Sequence, residues 1–232
     1  MPALIEFKDV VKEFKNNKVL NGLSLDIEKG EVFGIIGKSG CGKSTLLKVL
    51  IGVYSIDSGS IVFDGRDVTN KANKLKRFVG VTTQENSFYE KLTIYENMAY
   101  YANLNKVKAA RKHIDSILES VGLLKSRNQL AGSISGGMKR RLDFAISLVH
   151  DPSLLVLDEP TTGLDPLLVK QFWKVVEKVR SKGKTVIVIS HLFSELQESC
   201  KRIGILHDGV IKKIITVGKN VDLYKEFVRT VR

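Results

Sequence analysis

Buried strands and amphipathic helices alternate around residue 40 and again beyond residue 150. Near-continuous apolar runs, typical of parallel strands covered on both faces, occur at Val32–Gly37, Leu154–Leu157 and Thr185–Ile189. Helical patterns follow the first run at Ser44–Gly52 and separate the other two at Gln171–Arg180. Strands that alternate with helices in this way predict an α/β fold.

The N-terminal part of the chain shows a different pattern, with shorter strands and close turns. The strands are predicted at Ile5–Val10, Val19–Ile27 and Ser60–Phe63. Turn residues mark Asn16-Asn17, Glu28-Lys29-Gly30 and Asp64-Gly65. These elements predict an antiparallel sheet that lies beside the α/β core.

Residues 88–149 are predicted to be mostly helical. Thr93 and Glu96 have the spacing of a capping box ahead of an amphipathic helix. A second helix is predicted from Ser135 to about Val149, with one apolar stripe. Its members are Met138, Leu142, Ala145, Ile146 and Val149. Because no repeat or linker interrupts the chain, residues 1–232 are predicted to form one domain. Its core and β subdomain span 1–87 and 150–232, and its helical subdomain spans 88–149.

Composition limits the class of protein. The chain has 232 residues, 43% of them hydrophobic, which is enough for one sizeable core. It has no apolar run of about 18 residues, so no transmembrane helix is expected, and its first residues do not resemble a secretory signal. Its two cysteines, Cys41 and Cys200, make no disulfide framework and fit a reducing cytoplasm. The cysteines and the four histidines lack metal-ligand spacing.

The chain is strongly basic, with a formal net charge of +12. The basic residues form short clusters at 71–77, 106–112, 139–141 and 178–184. One interpretation is a solvated surface, and another is attraction to an anionic membrane leaflet or to acidic partners. No specific nucleic-acid partner is expected, because no basic–aromatic recognition motif accompanies the charge.

A phosphate-binding loop is predicted at Gly37–Ser44, which fits G-x-x-x-x-G-K-[ST] between a strand and a helix. Its glycines let the backbone approach phosphates, while the N–H groups and the helix dipole favour an anion. Lys43 is expected to reach the β- and γ-phosphates, and Ser44 to bind Mg²⁺. The predicted nucleotide-binding residues of this loop are Gly37, Lys38, Ser39, Gly40, Cys41, Gly42, Lys43, Ser44 and Thr45. The Cys41 thiol is expected to have a lowered pKa beside the helix N-terminus, to be alkylable, and to be shielded by ATP.

A carboxylate pair follows the apolar strand Leu154–Leu157. Asp158 is predicted to hold Mg²⁺ at the strand end, and Glu159 to polarise an attacking water. In isolation such a pair is an ordinary polar turn, but its combination with a phosphate loop favours a catalytic role.

The segment Ser135-Gly136-Gly137 precedes a helix whose first turn is unusually basic. Ser135 is a good N-cap, yet the cations at 139–141 oppose the helix dipole. An anion in front of the helix would offset that cost. The alternative is that these cations are solvated charges on an exposed face.

These motifs together resemble the nucleotide-binding subunit of an ATP-binding cassette (ABC) transporter along essentially the whole chain. The motifs, in the family's order, are GKSGCGKS, Gln84 after VGVTT, ISGGM, LLVLDEP, Gly163-Leu164-Asp165, and His191 after the run 185–190. The resemblance implies a P-loop NTPase (RecA-like) core with an antiparallel β subdomain and a helical subdomain. It also implies ATP and Mg²⁺ as cofactors.

The resemblance assigns further roles to matching residues. Gln84 resembles the glutamine that touches Mg²⁺ and the attacking water, and His191 the histidine that contacts the γ-phosphate. Phe14 resembles the aromatic residue that stacks on adenine. The segment 135–137 resembles the motif that contacts the γ-phosphate held by the opposite subunit, and Asp165 lies in the loop that crosses to that subunit. Lys43 and Glu159 complete the predicted catalytic set.

The resemblance implies two partners: a membrane-spanning transporter subunit and a second nucleotide-binding subunit. The protein is then expected to be cytoplasmic and peripheral at the inner face of the cell membrane. Ile134, Met138 and Gly163 depart from the family's commonest pattern, and Met138 has no amide to donate, so only a backbone role carries over there. SGGM with the following arginines resembles the drug and polysaccharide exporters.

Two alternatives stay open at the level of sequence. One is a soluble ABC-type ATPase that acts as a mechanical dimer outside transport. The other is a P-loop kinase, which would leave Glu159 and the segment 135–137 without a role.

Overall fold

The computed structural model of the chain describes residues 2–15, 17–69, 75–108, 111–218 and 221–232. The turn predicted at Asn16 and parts of the basic clusters at 71–77 and 106–112 lie outside the described residues. Two β-sheets and the helices that cover them make up the described fold. No helix among the described residues is both long enough and apolar enough to cross a membrane.

The smaller sheet has four antiparallel strands in the order β2-β1-β4-β5. Its strands are β1 (Ala3–Phe14), β2 (Asn17–Glu28), β4 (Ser58–Phe63) and β5 (Arg66–Asp67). The antiparallel sheet predicted for this region is confirmed. The first two strands are longer than predicted, because bulges in their pairing let them continue past polar residues.

The larger sheet has six strands in the order β10-β9-β3-β8-β7-β6. They are β3 (Val32–Ile36), β6 (Val79–Thr82), β7 (Leu154–Asp158), β8 (Thr185–Ile189), β9 (Arg202–His207) and β10 (Val210–Thr216). All neighbours are parallel except the edge strand β10, which forms a hairpin with β9. The α/β class predicted from the alternation of strands and helices is confirmed.

Four of the described helices begin after a residue whose side chain accepts a hydrogen bond from a free N–H group of the first turn. The helix bounds are α1 (Lys43–Leu50), α2 (Ile94–Leu104), α3 (Arg111–Ser120), α4 (Gly136–Leu148), α5 (Pro166–Arg180), α6 (Phe193–Ser199) and α7 (Leu223–Thr230). The capping box of Thr93 and Glu96 is confirmed at the start of α2. Helix α5 begins at Pro166 rather than Gln171, because Asp165 accepts hydrogen bonds from Leu167 N and Leu168 N.

Two hydrophobic clusters sandwich the larger sheet. One lies between the two sheets and includes α1, and the other joins the opposite face to residues of α2, α3, α4 and α5. Successive residues of β7, Leu155 and Val156, therefore enter different clusters, which explains its continuous apolar sequence. The proposed subdomain boundaries at 88 and 149 stay a prediction.

Candidate active site

The carboxyl ends of four adjacent parallel strands, β3, β8, β7 and β6, form one edge of the larger sheet. Each strand leads into a segment singled out from the sequence, and these segments surround a cleft of about 460 Å³. The residues that line the cleft are Val19, Gly37, Ser39, Gly40, Gly42, Lys43, Ser44, Thr45, Gln84, Asp158, Glu159 and His191. Most of the predicted catalytic and phosphate-binding residues therefore meet at the position where open α/β sheets bind their ligands.

The phosphate loop connects β3 to α1 and has little room for side chains at two glycines. A Cβ at Gly37 would lie 2.5 Å from Leu206 O, and one at Gly42 would lie 2.9 Å from Val19 O. Gly42 also has φ +111°, which side-chain-bearing residues rarely adopt. The Lys43 ammonium donates to Gly37 O at 2.7 Å and to Lys38 O at 2.9 Å. Two backbone carbonyl groups of the loop therefore hold the positive charge of Lys43 inside the loop.

The sequence-based expectation for Cys41 was wrong in direction. Its side chain is buried, and burial raises the pKa of the thiol, outweighing the lowering effect of the Lys43 charge. The sulfur lies so close to Gly37 that a Cβ on Gly37 would clash with it. Cys41 therefore fills space in the loop and is poorly activated as a nucleophile.

Glu159 and His191 are joined directly across the cleft. The distance from His191 Nδ1 to Glu159 Oε1 is 2.8 Å, and a carboxylate oxygen can only accept, so Nδ1 carries the hydrogen. The other carboxylate oxygen accepts from Ser190 Oγ and Thr162 Oγ1, each at 3.3 Å. These two hydroxyl donors were not predicted from the sequence. Their role could have been suspected only because Ser190 is adjacent to His191 and Thr162 lies three residues after Glu159. Together they fix the carboxylate in one orientation.

Asp158 and Glu159 place two carboxyl groups at the end of β7. Burial is the largest cause that raises the pKa of Asp158, followed by the charge of Glu159, while Lys43 lowers it. Glu159 has φ +49°, a left-handed conformation that a non-glycine residue adopts at a cost of about 1–3 kcal/mol. The strained backbone conformation of Glu159 accompanies the position of its side chain beside His191.

Ser135, Gly136 and Gly137 lie at the start of α4 and are not among the residues that line the cleft. Ser135 caps the helix by accepting from Met138 N at 3.4 Å, as predicted. Ser135 and Gly136 are exposed, and a Cβ on Gly136 would have open space around it. Gly137 instead packs against Leu168 of α5, where a Cβ would lie 2.8 Å from a methyl carbon. The helix N-terminus therefore presents its free N–H groups to the outside of this chain.

The basic residues of α4 point away from the front of the helix, and the alternative of solvated charges on an exposed face is wrong for the buried Arg140. The interpretation that an anion in front of the helix offsets their charge stays a prediction. Lys139 pairs with Glu90 at 3.5 Å. Arg140 is buried and donates to backbone carbonyl groups of two loops, while Arg141 donates to Val121 O and Gly137 O. Their partners lie beside and behind the helix start, because these long side chains turn away from the N-terminus.

Phe14 and Asp165 lie outside the cleft lining. Phe14 ends β1 and packs edge-to-face against Tyr54, with ring centroids 5.1 Å apart, and 38% of its surface is exposed. Asp165 caps α5, as described above. Their predicted contacts with adenine and with a partner subunit stay predictions.

Comparison with known proteins identifies the family. Residues 20–162 match the ABC transporter family. The chain is 36% identical over 209 residues to a Nod factor export ATP-binding protein I of Burkholderia lata, which covers 89% of this chain and 69% of the relative. It is 33% identical over 222 residues to the linearmycin resistance ATP-binding protein LnrL of Bacillus subtilis, covering 95% of this chain and 70% of the relative.

A solved structure supports the fold. A dimeric ATP-binding cassette in a post-hydrolysis state, bound to ADP and phosphate, superimposes with a TM-score of 0.80 at 26% identity, over 92% of this chain and 99% of that one. The predicted P-loop NTPase fold is thereby confirmed, and the kinase alternative loses its support. The chain belongs to the ABC transporter family and is an ATP-binding, ATP-hydrolysing subunit of that family.

Proposed function

We propose that the cleft binds Mg-ATP and hydrolyses it through Glu159, in a subunit that drives export across a membrane. The hydrogen bond between Glu159 and His191 at 2.8 Å, in the same cleft as Lys43, carries this assignment. The candidate base Glu159, the hydrogen-bond donor His191 and the phosphate-binding cation Lys43 all line this cleft. Lys43 and the loop amides hold the phosphates, and Phe14 stacks on the base.

The residues around Asp158 fit Mg²⁺. Ser44, Gln84 and Asp158 line the same cleft and offer a hydroxyl, an amide and a carboxylate oxygen, the hard ligands that Mg²⁺ prefers. Among the described residues no cluster of three or more His, Cys, Asp or Glu side chains is arranged to hold a metal by itself. That agrees with an ion held by a single carboxylate, by neutral oxygen groups and by the substrate's phosphates. When bound, Mg²⁺ neutralises charge on the β- and γ-phosphates.

Hydrolysis is then mostly a matter of position and charge. Glu159 accepts a proton from water as the water oxygen bonds to the γ-phosphorus and the bond to the β–γ bridging oxygen breaks. The hydrogen bonds from His191, Ser190 and Thr162 orient the carboxylate. The positive charge of Lys43 stabilises negative charge on the phosphoryl group and its leaving oxygen.

The exposed N-terminus of α4 supports a second part of the proposal, in which two chains close head to tail around ATP. In the closed pair, Ser135, Gly136 and Gly137 of each chain contact the γ-phosphate bound in the other chain's cleft. Asp165 then lies in the loop that crosses between the subunits. Loss of that phosphate after hydrolysis releases the two chains.

The proposed partner of this pair is a separate membrane-spanning subunit, and the proposed location is the inner face of the cell membrane. The names of the two similar proteins, one for Nod factor export and one for linearmycin resistance, support an export role. The net charge of +12 supports a site next to an anionic leaflet.

Glu159→Gln tests the proposal. Glutamine keeps the shape of the side chain but cannot take the proton, so we expect hydrolysis to fall at least about 100-fold while ATP still binds. Size-exclusion chromatography in saturating Mg-ATP should show a stable dimer of the variant. Glu177→Gln is the matched control, because Glu177 is exposed on α5 and pairs with Arg180, and it should hydrolyse ATP like the wild type.

A Glu159→Gln variant that stays monomeric in Mg-ATP, or that hydrolyses ATP normally, would contradict the proposal. Association with a transporter needs a separate measurement, which is recovery of the protein from native membranes together with a membrane-spanning subunit. A dimer that hydrolyses ATP but never associates with membranes would indicate the soluble alternative.

A further inference from the structure

Arg140 lies in the second turn of α4, and its guanidinium is buried between two loops of the cleft. Only 6% of the residue is exposed. All five of its N–H groups face backbone carbonyl oxygens. Nε donates to Pro160 O at 2.6 Å. Nη1 donates to Thr83 O at 2.8 Å and to Gln84 O at 3.3 Å, and Nη2 donates to Glu159 O at 2.5 Å and to Asp158 O at 3.4 Å.

These carbonyl groups belong to the two segments whose side chains matter most in the cleft. One segment ends β7 and carries Asp158 and Glu159, and the other follows β6 and carries Gln84. A single planar group therefore fixes the distance between them. Arginine is suited to this role because its five donors have a rigid geometry, whereas a lysine ammonium has only three.

Two further features make the arrangement more than ordinary core packing. Glu159 has φ +49°, and a strained residue keeps its conformation only where surrounding contacts enforce it, as the hydrogen bond to its carbonyl group does here. Helix α4 also holds the Gln84 loop at a second point, where Asp143 Oδ1 accepts from Ser87 N at 2.7 Å. The loop is thus attached to α4 on both sides of residue 85.

The same helix begins at Ser135, one and a half turns before Arg140. Because a short helix moves as a rigid body, a force on its N-terminus reaches both loops through Arg140. We propose that Arg140 is a positioning residue that sets Glu159 and Gln84 for hydrolysis and couples them to the Ser135–Gly137 turn of the same chain. A phosphate bound by that turn, which belongs to the partner's ATP, thereby adjusts the chain's own cleft.

This inference rests on the role proposed above for Glu159, and the test separates the two. Arg140→Lys keeps the positive charge but loses at least two of the five donors. We expect kcat to fall about tenfold or more with KM for ATP within about twofold, because Arg140 is not among the residues that line the cleft. In the Glu159→Gln background, Arg140→Lys should cause a clearly smaller loss, since the carboxylate that it positions is already absent and only its effect through Gln84 remains.

Arg141→Lys is the matched control. Arg141 is the neighbouring arginine on α4 and also donates to carbonyl groups, but its acceptors belong to Val121 and Gly137 and not to the two loops. It should lose stability as Arg140→Lys does while keeping kcat within about twofold of the wild type. Unfolding midpoints of all variants are measured beside the kinetics, and each assay is run well below the lowest midpoint.

Equal losses of kcat caused by Arg140→Lys in the wild-type and in the Glu159→Gln background would overturn the inference. A rise in KM with unchanged kcat would do the same. If Arg140→Lys is too unstable to assay, Arg140→Gln serves in the same double-mutant cycle at lower temperature. Failure of both variants to fold at any temperature would also overturn it, because Arg140 would then be purely structural. Normal hydrolysis by Glu159→Gln alone would instead refute the proposed role of Glu159.

Discussion

The phosphate loop and the turn at Ser135–Gly137 each lead into the N-terminus of a helix, α1 or α4, but their surroundings differ. Around the phosphate loop, a Cβ on Gly37 or Gly42 would lie within 3 Å of a backbone carbonyl oxygen, and Lys43 closes the centre. Around the turn, Gly136 has open space. The same kind of element, a helix N-terminus of the type that can bind anions, is therefore enclosed by its own chain in one place and faces outward in the other.

This difference indicates how the two elements are used. An enclosed helix N-terminus can bind phosphate within one chain, whereas an outward-facing one needs a second molecule to bring the anion. Among the described residues, the turn has no protein groups packed in front of Gly136, but the helix behind it is well attached. Arg140 and Asp143 hydrogen-bond α4 to the loops of the cleft. Hydrogen bonds thus connect the helix with the exposed N-terminus to the enclosed site. Three experiments test the difference between the two elements.

The largest effect on ATP hydrolysis is expected when the phosphate loop is inactivated in one chain and the Ser135–Gly137 turn in another. Lys43→Ala removes the cation of the phosphate loop, and Gly136→Asp adds a carboxylate at the turn. The added side chain has room, and an acid in the first turn stabilises a helix by about 0.3–1 kcal/mol, so the variant should fold. It should nevertheless repel a γ-phosphate. Each variant alone should lose at least about 100-fold in hydrolysis.

Mixing the two inactive variants should restore activity that neither has alone. In the mixed dimer, the intact phosphate loop of one chain meets the intact turn of the other, which gives one complete site. Phosphate release is measured as a function of the mixing ratio, with Gly136→Ala as the uncharged control that keeps hydrolysis. Absence of recovery at every ratio would show that the loop and the turn do not complete one another between chains.

The comparison also shows what the sequence could predict. The phosphate loop, the strands β3, β7 and β8 and the capping box of α2 all depend on short-range patterns, and each was predicted at or near its position. The hairpin of β9 and β10 was missed, although Asp208-Gly209 marks its turn. The start of α5 was missed despite the signal of Asp165 followed by proline.

Two features of the site could not be predicted, and the physical reason is the same for both. The direction of the Arg140 side chain and the direction of the pKa shift at Cys41 depend on the groups that the fold brings beside them, which local sequence does not fix. A helix N-terminus lowers a thiol pKa, but at Cys41 burial outweighs it. A long side chain on the second turn can point toward the helix start or into the core. The Arg140 side chain points into the core, because β6 and β7 end beside it and their carbonyl groups accept its hydrogen bonds.

An intermediate effect is expected for thiol labelling of the turn. Ser135→Cys places a thiol at an exposed helix N-terminus, where its pKa should be lowered and its reaction with iodoacetamide fast. Both native cysteines are buried, and burial raises the pKa of each thiol, so they give a slow background. We expect the thiol introduced by Ser135→Cys to react with iodoacetamide at least about tenfold faster than either native cysteine.

Mg-ATP should slow this labelling once two chains close over the turn. The experiment is performed in the Glu159→Gln background so that the closed state persists, and the modified residues are identified by mass spectrometry. The Glu159→Gln protein with only its native cysteines is the control. Equal labelling of the introduced thiol with and without Mg-ATP would contradict the covered turn, and fast labelling of Cys41 would contradict the enclosed loop.

The smallest effect concerns the buried rear of α4 and appears in stability rather than in activity. Burial raises the pKa of Asp143 to about 6, against the opposing hydrogen bond from Ser87 N and the charge of Arg140. In the unfolded chain the same carboxyl titrates near 3.8. Between these two values the folded state holds a proton that the unfolded state has released. The contribution of Asp143 to the free energy of unfolding is therefore full below pH 3.8 and falls as pH rises through 6.

Asp143→Asn should remove this pH dependence, because an amide stays neutral and still offers an oxygen to Ser87 N. From urea unfolding at about pH 4 to 7, we expect the stability of the wild type relative to the variant to fall by about 2 kcal/mol. Asp57→Asn is the control of opposite sign, since the Glu13 N–H and Lys12 lower the pKa of Asp57. Asp57 contributes stability that is present above pH 3.8 and is lost as pH falls below that value. Its removal should therefore leave the curve nearly unchanged between about pH 4 and 7 and change it in the opposite direction when urea unfolding is extended to lower pH. Parallel curves for the wild type and Asp143→Asn would show that the rear of α4 is as open to water as its exposed N-terminus.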